Sequence, residues 1–104
     1  MLSITLNHFL FLASAVFCLG IFGIIASRNA IKVLLSIEVM LAGVTMAFIA
    51  ISKYVTPDTL EGQIITIFIL TVAAAEAAVG LAILLVVYRN YKTVDMSKFN
   101  VLKW

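Results

Sequence analysis

The chain reads as three long apolar runs separated by short polar breaks. From Met1 to Ser27 no residue carries a formal charge, apart from a proton that His8 can take up. After Arg28 and Lys32 the run Val33–Ser52 is interrupted only by Glu38. After the polar stretch Lys53–Gly62 the run Gln63–Tyr88 is interrupted only by Glu76. About 20 apolar residues in a helix cross a hydrocarbon core of ~30 Å. The pattern therefore predicts an all-α integral membrane protein with three transmembrane helices, over about residues 6–26, 31–52 and 63–88, and a polar tail over 89–104. The whole of 1–104 is expected to form a single membrane domain.

The breaks add detail. The first, Ser27–Ala30, is short enough to make helices one and two an antiparallel hairpin. The second contains Thr56-Pro57-Asp58, a turn signal in which proline fixes φ. Asp58 with Glu61 three residues later is the pattern of a capping box opening helix three, which makes Glu61 a helix-start residue favoured by the macrodipole. The opening MLSITLN has no basic residue, and a charged hairpin follows the first span without a cleavage site, so that span is expected to be retained and not cleaved as a signal peptide.

Composition agrees and narrows the function classes. Hydrophobic residues make up 64% of the chain and charged ones 12%, and the mean hydropathy is +1.21. A water-soluble domain carries about 25% charged and about 45–50% apolar residues, so lipid must be the solvent here. Disordered chains are poor in large apolar residues, which excludes that class as well. A net charge of +2 without a basic run gives no footing for nucleic acid. The single cysteine, Cys18, allows no disulfide framework within the chain and reads as a small apolar filler. The single histidine, His8, removes most histidine-based metal chemistry and reads as interfacial.

Orientation follows from the basic residues. Arg28 and Lys32 stand in the first break without an acid, and the tail carries Arg89, Lys92, Lys98 and Lys103 against Asp95. The second break has Lys53 against Asp58 and Glu61. The positive-inside rule places the first break and the C-terminus in the cytoplasm or stroma, and the N-terminus outside. Tyr88, Tyr91 and Trp104 suit the aromatic belt or the inner surface.

Glu38 and Glu76 are the residues that a purely structural helix would not contain. A charged acid near the middle of a span costs about 2.5–3.5 kcal/mol, so the pair costs on the order of 5–7 kcal/mol. Ionisable side chains at such depth mark ion or proton pathways. Glu38 lies fifteen residues before Lys53, and Glu76 fifteen after Glu61. At 1.5 Å per residue both are roughly 22 Å from the second break, at matched height on adjacent helices. Matched height favours proton transfer over the bland alternative, a protonated carboxyl acting as interhelical glue. Helical rotation, which decides whether the two face each other, stays open. Small residues crowd Glu76 in VAAAEAAVG, Gly43 and Ala47 stand at small-xxx-small spacing, and Gly20 and Gly23 mark helix one. Such surfaces allow close packing in lipid, and here they are expected to meet other subunits. Arg28 and Lys32 are topology determinants first, with a supporting role near Glu38 second.

These residues carry a resemblance. The stretches Gly20-Ile21-Phe22-Gly23, Ser27-Arg28-Asn29-Ala30, Ser36-Ile37-Glu38-Val39-Met40-Leu41, Glu61-Gly62-Gln63 and Val72–Ala82 (VAAAEAAVGLA) resemble the small K-type, or four-L, membrane subunit of the respiratory complex I family, over about residues 10 to 92. The tail, from Tyr88-Arg89-Asn90 to Leu102-Lys103-Trp104, is similar to the cyanobacterial and plastid branch, which oxidises ferredoxin and reduces plastoquinone in thylakoids. The resemblance implies three spans with the N-terminus outside. It implies that Glu38 and Glu76 are the membrane-embedded glutamates of the proton path, and that Arg28 is the basic loop position associated with energy coupling. It also implies a hetero-oligomer with other membrane-arm subunits. No cofactor is expected in this chain; quinone, iron–sulfur clusters and FMN would belong to partner subunits. The competing reading is a small subunit of a multisubunit cation/proton antiporter, driven by an ion gradient without electron transfer.

Overall fold

The computed structural model describes residues 3–92 and 94–95. Three helices follow one another: α1 (Leu6–Ala26), α2 (Ala30–Val55) and α3 (Glu61–Tyr91). All three are long and apolar enough to cross a membrane. Both α2 and α3 run past the apolar stretches, taking in Lys53 on one helix and Glu61, Gly62 and Arg89 on the other. At 1.5 Å per residue α3 is about 46 Å long, so its ends stand outside a ~30 Å hydrocarbon core. Lys98, Lys103 and Trp104, used above for orientation and the aromatic belt, lie outside the described residues.

Apolar side chains point outward along each helix, among them Phe11, Ile25, Ile64, Phe68 and Leu85. Water would penalise that arrangement, whereas lipid tails solvate it at no cost. What draws the helices together is close approach of backbones at small residues. α1 packs on one side of α2. A Cβ on Gly20 would stand 2.8 Å from the backbone N of Met40, and one on Gly43 would stand 2.8 Å from the carbonyl oxygen of Ala13. These glycines, expected to meet other subunits, are thus used inside the chain. A hairpin of antiparallel helices joined by three residues has to fill its own seam first.

α3 packs on the other side of α2. Gly62 sits against Ser52 and Phe48, and Gly80 against Leu34. The helices therefore run antiparallel, Leu34–Ser52 of α2 lying beside Gly62–Gly80 of α3. One end of the molecule carries Arg28, Lys32, Arg89 and Lys92 and is called the basic end below. The other, with Lys53, Asp58 and Glu61, is the far end.

The caps differ in part from the sequence pattern. The Asp58–Glu61 box does not form: Pro57 and Asp58 make a turn, and α3 starts from Leu60 without a side-chain cap. The proline turn uses up the residues that would have had to reach the first free N–H groups. A related device opens α1, where the backbone N–H and hydroxyl of Thr5 both approach Nδ1 of His8, at 3.1 and 3.0 Å. His8 occupies the place that glutamate takes in the usual box. Asn29 caps α2, its Oδ1 accepting from the backbone N–H of Ile31 (2.9 Å) and Lys32 (3.4 Å).

The basic end is closed by a clasp. After α3, Lys92 turns into the left-handed region (φ 58°) and its N–H bonds to the carbonyl of Tyr88. The chain then returns across the first hairpin. The Ala30 N–H donates to the Val94 carbonyl at 2.8 Å, and Asn29 and Asp95 pair in antiparallel fashion.

Candidate functional site

The α2–α3 register settles the relative height of the two carboxylates. From the Leu34–Gly80 contact, Glu38 lies four residues further along α2 and Glu76 four residues back along α3, so they are level. Rotation separates them. At about 100° per residue, Glu38 is displaced by roughly 45° from the row Leu34–Leu41–Ser52 that faces α3. Glu76 is displaced by about as much, in the opposite sense, from the row Gly62–Ala73–Gly80 that faces α2. In an antiparallel pair, opposite displacements put two residues on opposite flanks of the seam. Glu76 accordingly lines a hollow of about 220 Å³ with Leu41, Phe68, Val72 and Ala73, to which Glu38 does not contribute.

Surroundings and tilt distinguish them further. Glu38 is half-buried and Glu76 exposed. Among the described residues neither has a hydrogen-bond or ion-pair partner within the chain. Each Cα–Cβ bond of a helix tilts toward that helix's N-terminus. Because α2 starts at the basic end and α3 at the far end, Glu38 leans toward the basic end and Glu76 toward the far end. The arrangement offers two carboxyl groups at one level, on opposite flanks of the α2–α3 seam.

Arg28 and Lys32 are brought together, but not with Glu38. They line a cleft of about 430 Å³ at the basic end with Ser27, Asn29 and Asp95. Lys32 is about 9 Å from Glu38 along the α2 axis and on its α1-facing side. Cys18 is exposed, on a groove between α1 and α2 that Ala13 and Gly43 also line. No group of three His, Cys, Asp or Glu side chains able to hold a metal occurs among the described residues.

Three polar side chains passed over in the sequence lie deep in the α2–α3 half of the molecule. Thr45 is 8% exposed, and Ser52 and Thr66 are 4% exposed each. The Thr45 hydroxyl donates to the Ala42 carbonyl at 2.9 Å, whereas the side-chain oxygens of Ser52 and Thr66 have no partner among the described residues. All three stand between the carboxylate level and the far end. Hydroxyls are common helix-packing groups in lipid, so nothing in the sequence alone singles them out.

Comparison with known proteins decides the lineage of this site. The sequence profile of the NADH-ubiquinone/plastoquinone oxidoreductase chain 4L family matches residues 8–104. The chain belongs to that family. Among its chain 4L relatives is the NAD(P)H-quinone oxidoreductase subunit 4L of Leptolyngbya boryana, 56% identical over 99 residues, covering 95% of this chain and 98% of the relative. The subunit of the same name from a Nostoc strain is 57% identical over 99 residues, with the same coverage. The chloroplastic subunit 4L of Chlorokybus atmophyticus is 51% identical over 98 residues, covering 94% of this chain and 97% of the relative. Chain 4L members of this similarity come from cyanobacteria, an organellar chromatophore and chloroplasts.

Proposed function

We propose that this chain is a proton-translocating membrane subunit of a quinone-reducing oxidoreductase, driven by NAD(P)H or ferredoxin and placed in a thylakoid or related membrane. Glu38 and Glu76 take up and release the protons. The observation that carries this reading is the placement of the two carboxylates, level with each other in apolar helices, without partners among the described residues, and on opposite flanks of one seam. A carboxylate that served only as glue would be satisfied inside the fold or packed into it. Each of these is instead offered to an adjacent subunit, so a proton arriving from one side of the subunit can leave on the other. The redox groups and the quinone belong to partner subunits, and the fold couples to them through its surfaces. With the basic end in the cytoplasm or stroma, Glu38 leans toward the proton supply and Glu76 toward the opposite side. Arg28 and Lys32 support the basic end and hold orientation. The relatives named above are quinone oxidoreductase subunits and give the antiporter reading no support.

Glutamine keeps the shape of glutamate but does not titrate. Glu38→Gln and Glu76→Gln should each leave the amount of assembled complex unchanged while proton pumping per quinone reduced falls about tenfold or more, the effect of ~1.4 kcal/mol on one transfer step. Normal pumping by both variants in membrane vesicles would sink the relay.

A further inference from the structure

We propose that His8 is a pH-sensitive latch at the far end of the molecule, which ties the entry to α1 onto the end of α2 when its ring is neutral and releases it when the ring is protonated. The Thr5 backbone N–H donates to Nδ1 of His8 at 3.1 Å, and the Thr5 hydroxyl stands 3.0 Å from the same nitrogen. A backbone N–H can only donate, so this bond exists while Nδ1 is bare and the ring proton sits on Nε2. On the other side, the Tyr54 hydroxyl, near the end of α2, donates to the Ile4 carbonyl at 3.3 Å. The rings of Phe9 and Tyr54 lie 6.0 Å apart beside it. The Ile4 carbonyl and the Thr5 N–H belong to one planar peptide group. That group is therefore held from both sides, by a histidine of α1 and a tyrosine of α2.

A proton on Nδ1 undoes the first hold and with it the second. Nδ1–H then faces the Thr5 N–H, donor against donor, and the partner left to it is the Thr5 hydroxyl, which can accept. The imidazolium also stands in the first turn of α1, where the helix dipole disfavours positive charge. Because the peptide group is planar, turning its N–H away from the ring turns the Ile4 carbonyl away from Tyr54. The loop that joins α1 to α2 is at the basic end, so at the far end only contacts across the seam keep the two helices together. The other ionisable groups at this end are Lys53 and Tyr54 on α2, and Asp58 and Glu61 at the turn into α3. Lysine, tyrosine, aspartate and glutamate ordinarily change charge outside pH 5 to 8, the range in which histidine does so. The α-amino group of Met1 lies outside the described residues. In the orientation proposed above, the far end faces the compartment that receives the pumped protons, so the latch opens as that compartment acidifies.

The latch stands apart from the proton relay, because neither Glu38 nor Glu76 takes part in its bonds. Its test is amide hydrogen exchange on the intact complex in nanodiscs at about pH 8 and about pH 5, the limits of histidine titration. Each rate is divided by that of an unstructured peptide of the same sequence. Protection over residues 4–9 should fall about fivefold at the acid value, the size of losing one helix cap. His8→Gln supplies a capping amide that does not titrate and should give equal protection at both values. Tyr54→Phe should lower protection at the alkaline value and change nothing at the acid one, where its bond is already released. Glu38→Gln should leave the acid loss as it is, so the relay and the latch fail separately. Constant protection in the parent overturns the proposal. So does an equal acid loss in His8→Gln, which assigns the response to another group.

Discussion

The two seams of this molecule share a helix and differ in kind. Where α1 meets α2, the buried positions are Ala13, Gly20, Gly43 and Ala50, and the backbones come so close that added side-chain atoms would strike main chain. Where α2 meets α3, the buried positions include Thr45, Ser52 and Thr66, and a carboxylate stands on either flank. The first seam buries only small apolar residues and is closely packed at its glycines, suited to holding a hairpin together. The second carries polar groups beyond its own needs, including two hydroxyls that nothing among the described residues satisfies. A membrane protein can afford such groups only where a partner, water or a proton completes them. Polarity along a seam thus separates the contact that is complete within the described residues from the one that leaves buried hydroxyls unpaired among them.

Adding one methyl group to the α1–α2 seam is the strongest way to break this contrast. Gly43→Ala places a Cβ 2.8 Å from the Ala13 carbonyl oxygen and 2.9 Å from the Phe17 backbone N. Only a shift of whole helices relieves that, so a loss of about 1–3 kcal/mol is expected, read as a lower melting temperature and lower abundance of the complex. Asn29→Ala removes the cap that starts α2 and should cost about 1 kcal/mol, measured in the same assay. An unchanged melting temperature would show that the clasp alone holds that end.

Subtler changes probe the polar seam. Thr66→Val removes a buried hydroxyl without a partner among the described residues while keeping its shape. Because an unsatisfied buried group costs roughly 1–3 kcal/mol, the variant should be as stable as the parent or slightly more stable. A clear loss of stability in the assembled complex would mean that a neighbouring subunit or water completes the hydroxyl. Gly80→Ala should have the smallest effect. The added Cβ would meet only the ends of the flexible Leu34 side chain, at 3.3 and 3.4 Å, and a change within about 0.5 kcal/mol is expected.

Much of this was legible in the sequence, for a definite reason. Apolar runs long enough to cross lipid can scarcely fold otherwise, and counting along them puts Glu38 and Glu76 at one height. What the runs conceal is rotation. In water an apolar stripe tells which face of a helix is buried, but here lipid and neighbouring helices are equally apolar, so α1 and α3 show no such stripe. That is why Gly20 and Gly43 could be assigned to outside partners when they pack on each other's helices, and why the opposite flanks of the two glutamates emerge only from the fold. The caps were obscured differently. At Thr5 a histidine nitrogen does what a glutamate oxygen usually does, and at Asp58 a proline turn takes precedence over the box. The clasp leaves no trace in residue types, because Ala30 and Val94 meet through their backbones.

That clasp also bears on how the subunit is made. The residues that fasten the first hairpin are translated only after the third helix, so Ser27, Arg28 and Asn29 leave the insertion machinery with their loop still unsecured. Ala30 gains its partner when Val94 arrives, and only then does the basic end take its final form. A tag or truncation near residue 95 is therefore a change to the loop around Arg28, more than sixty positions earlier in the chain.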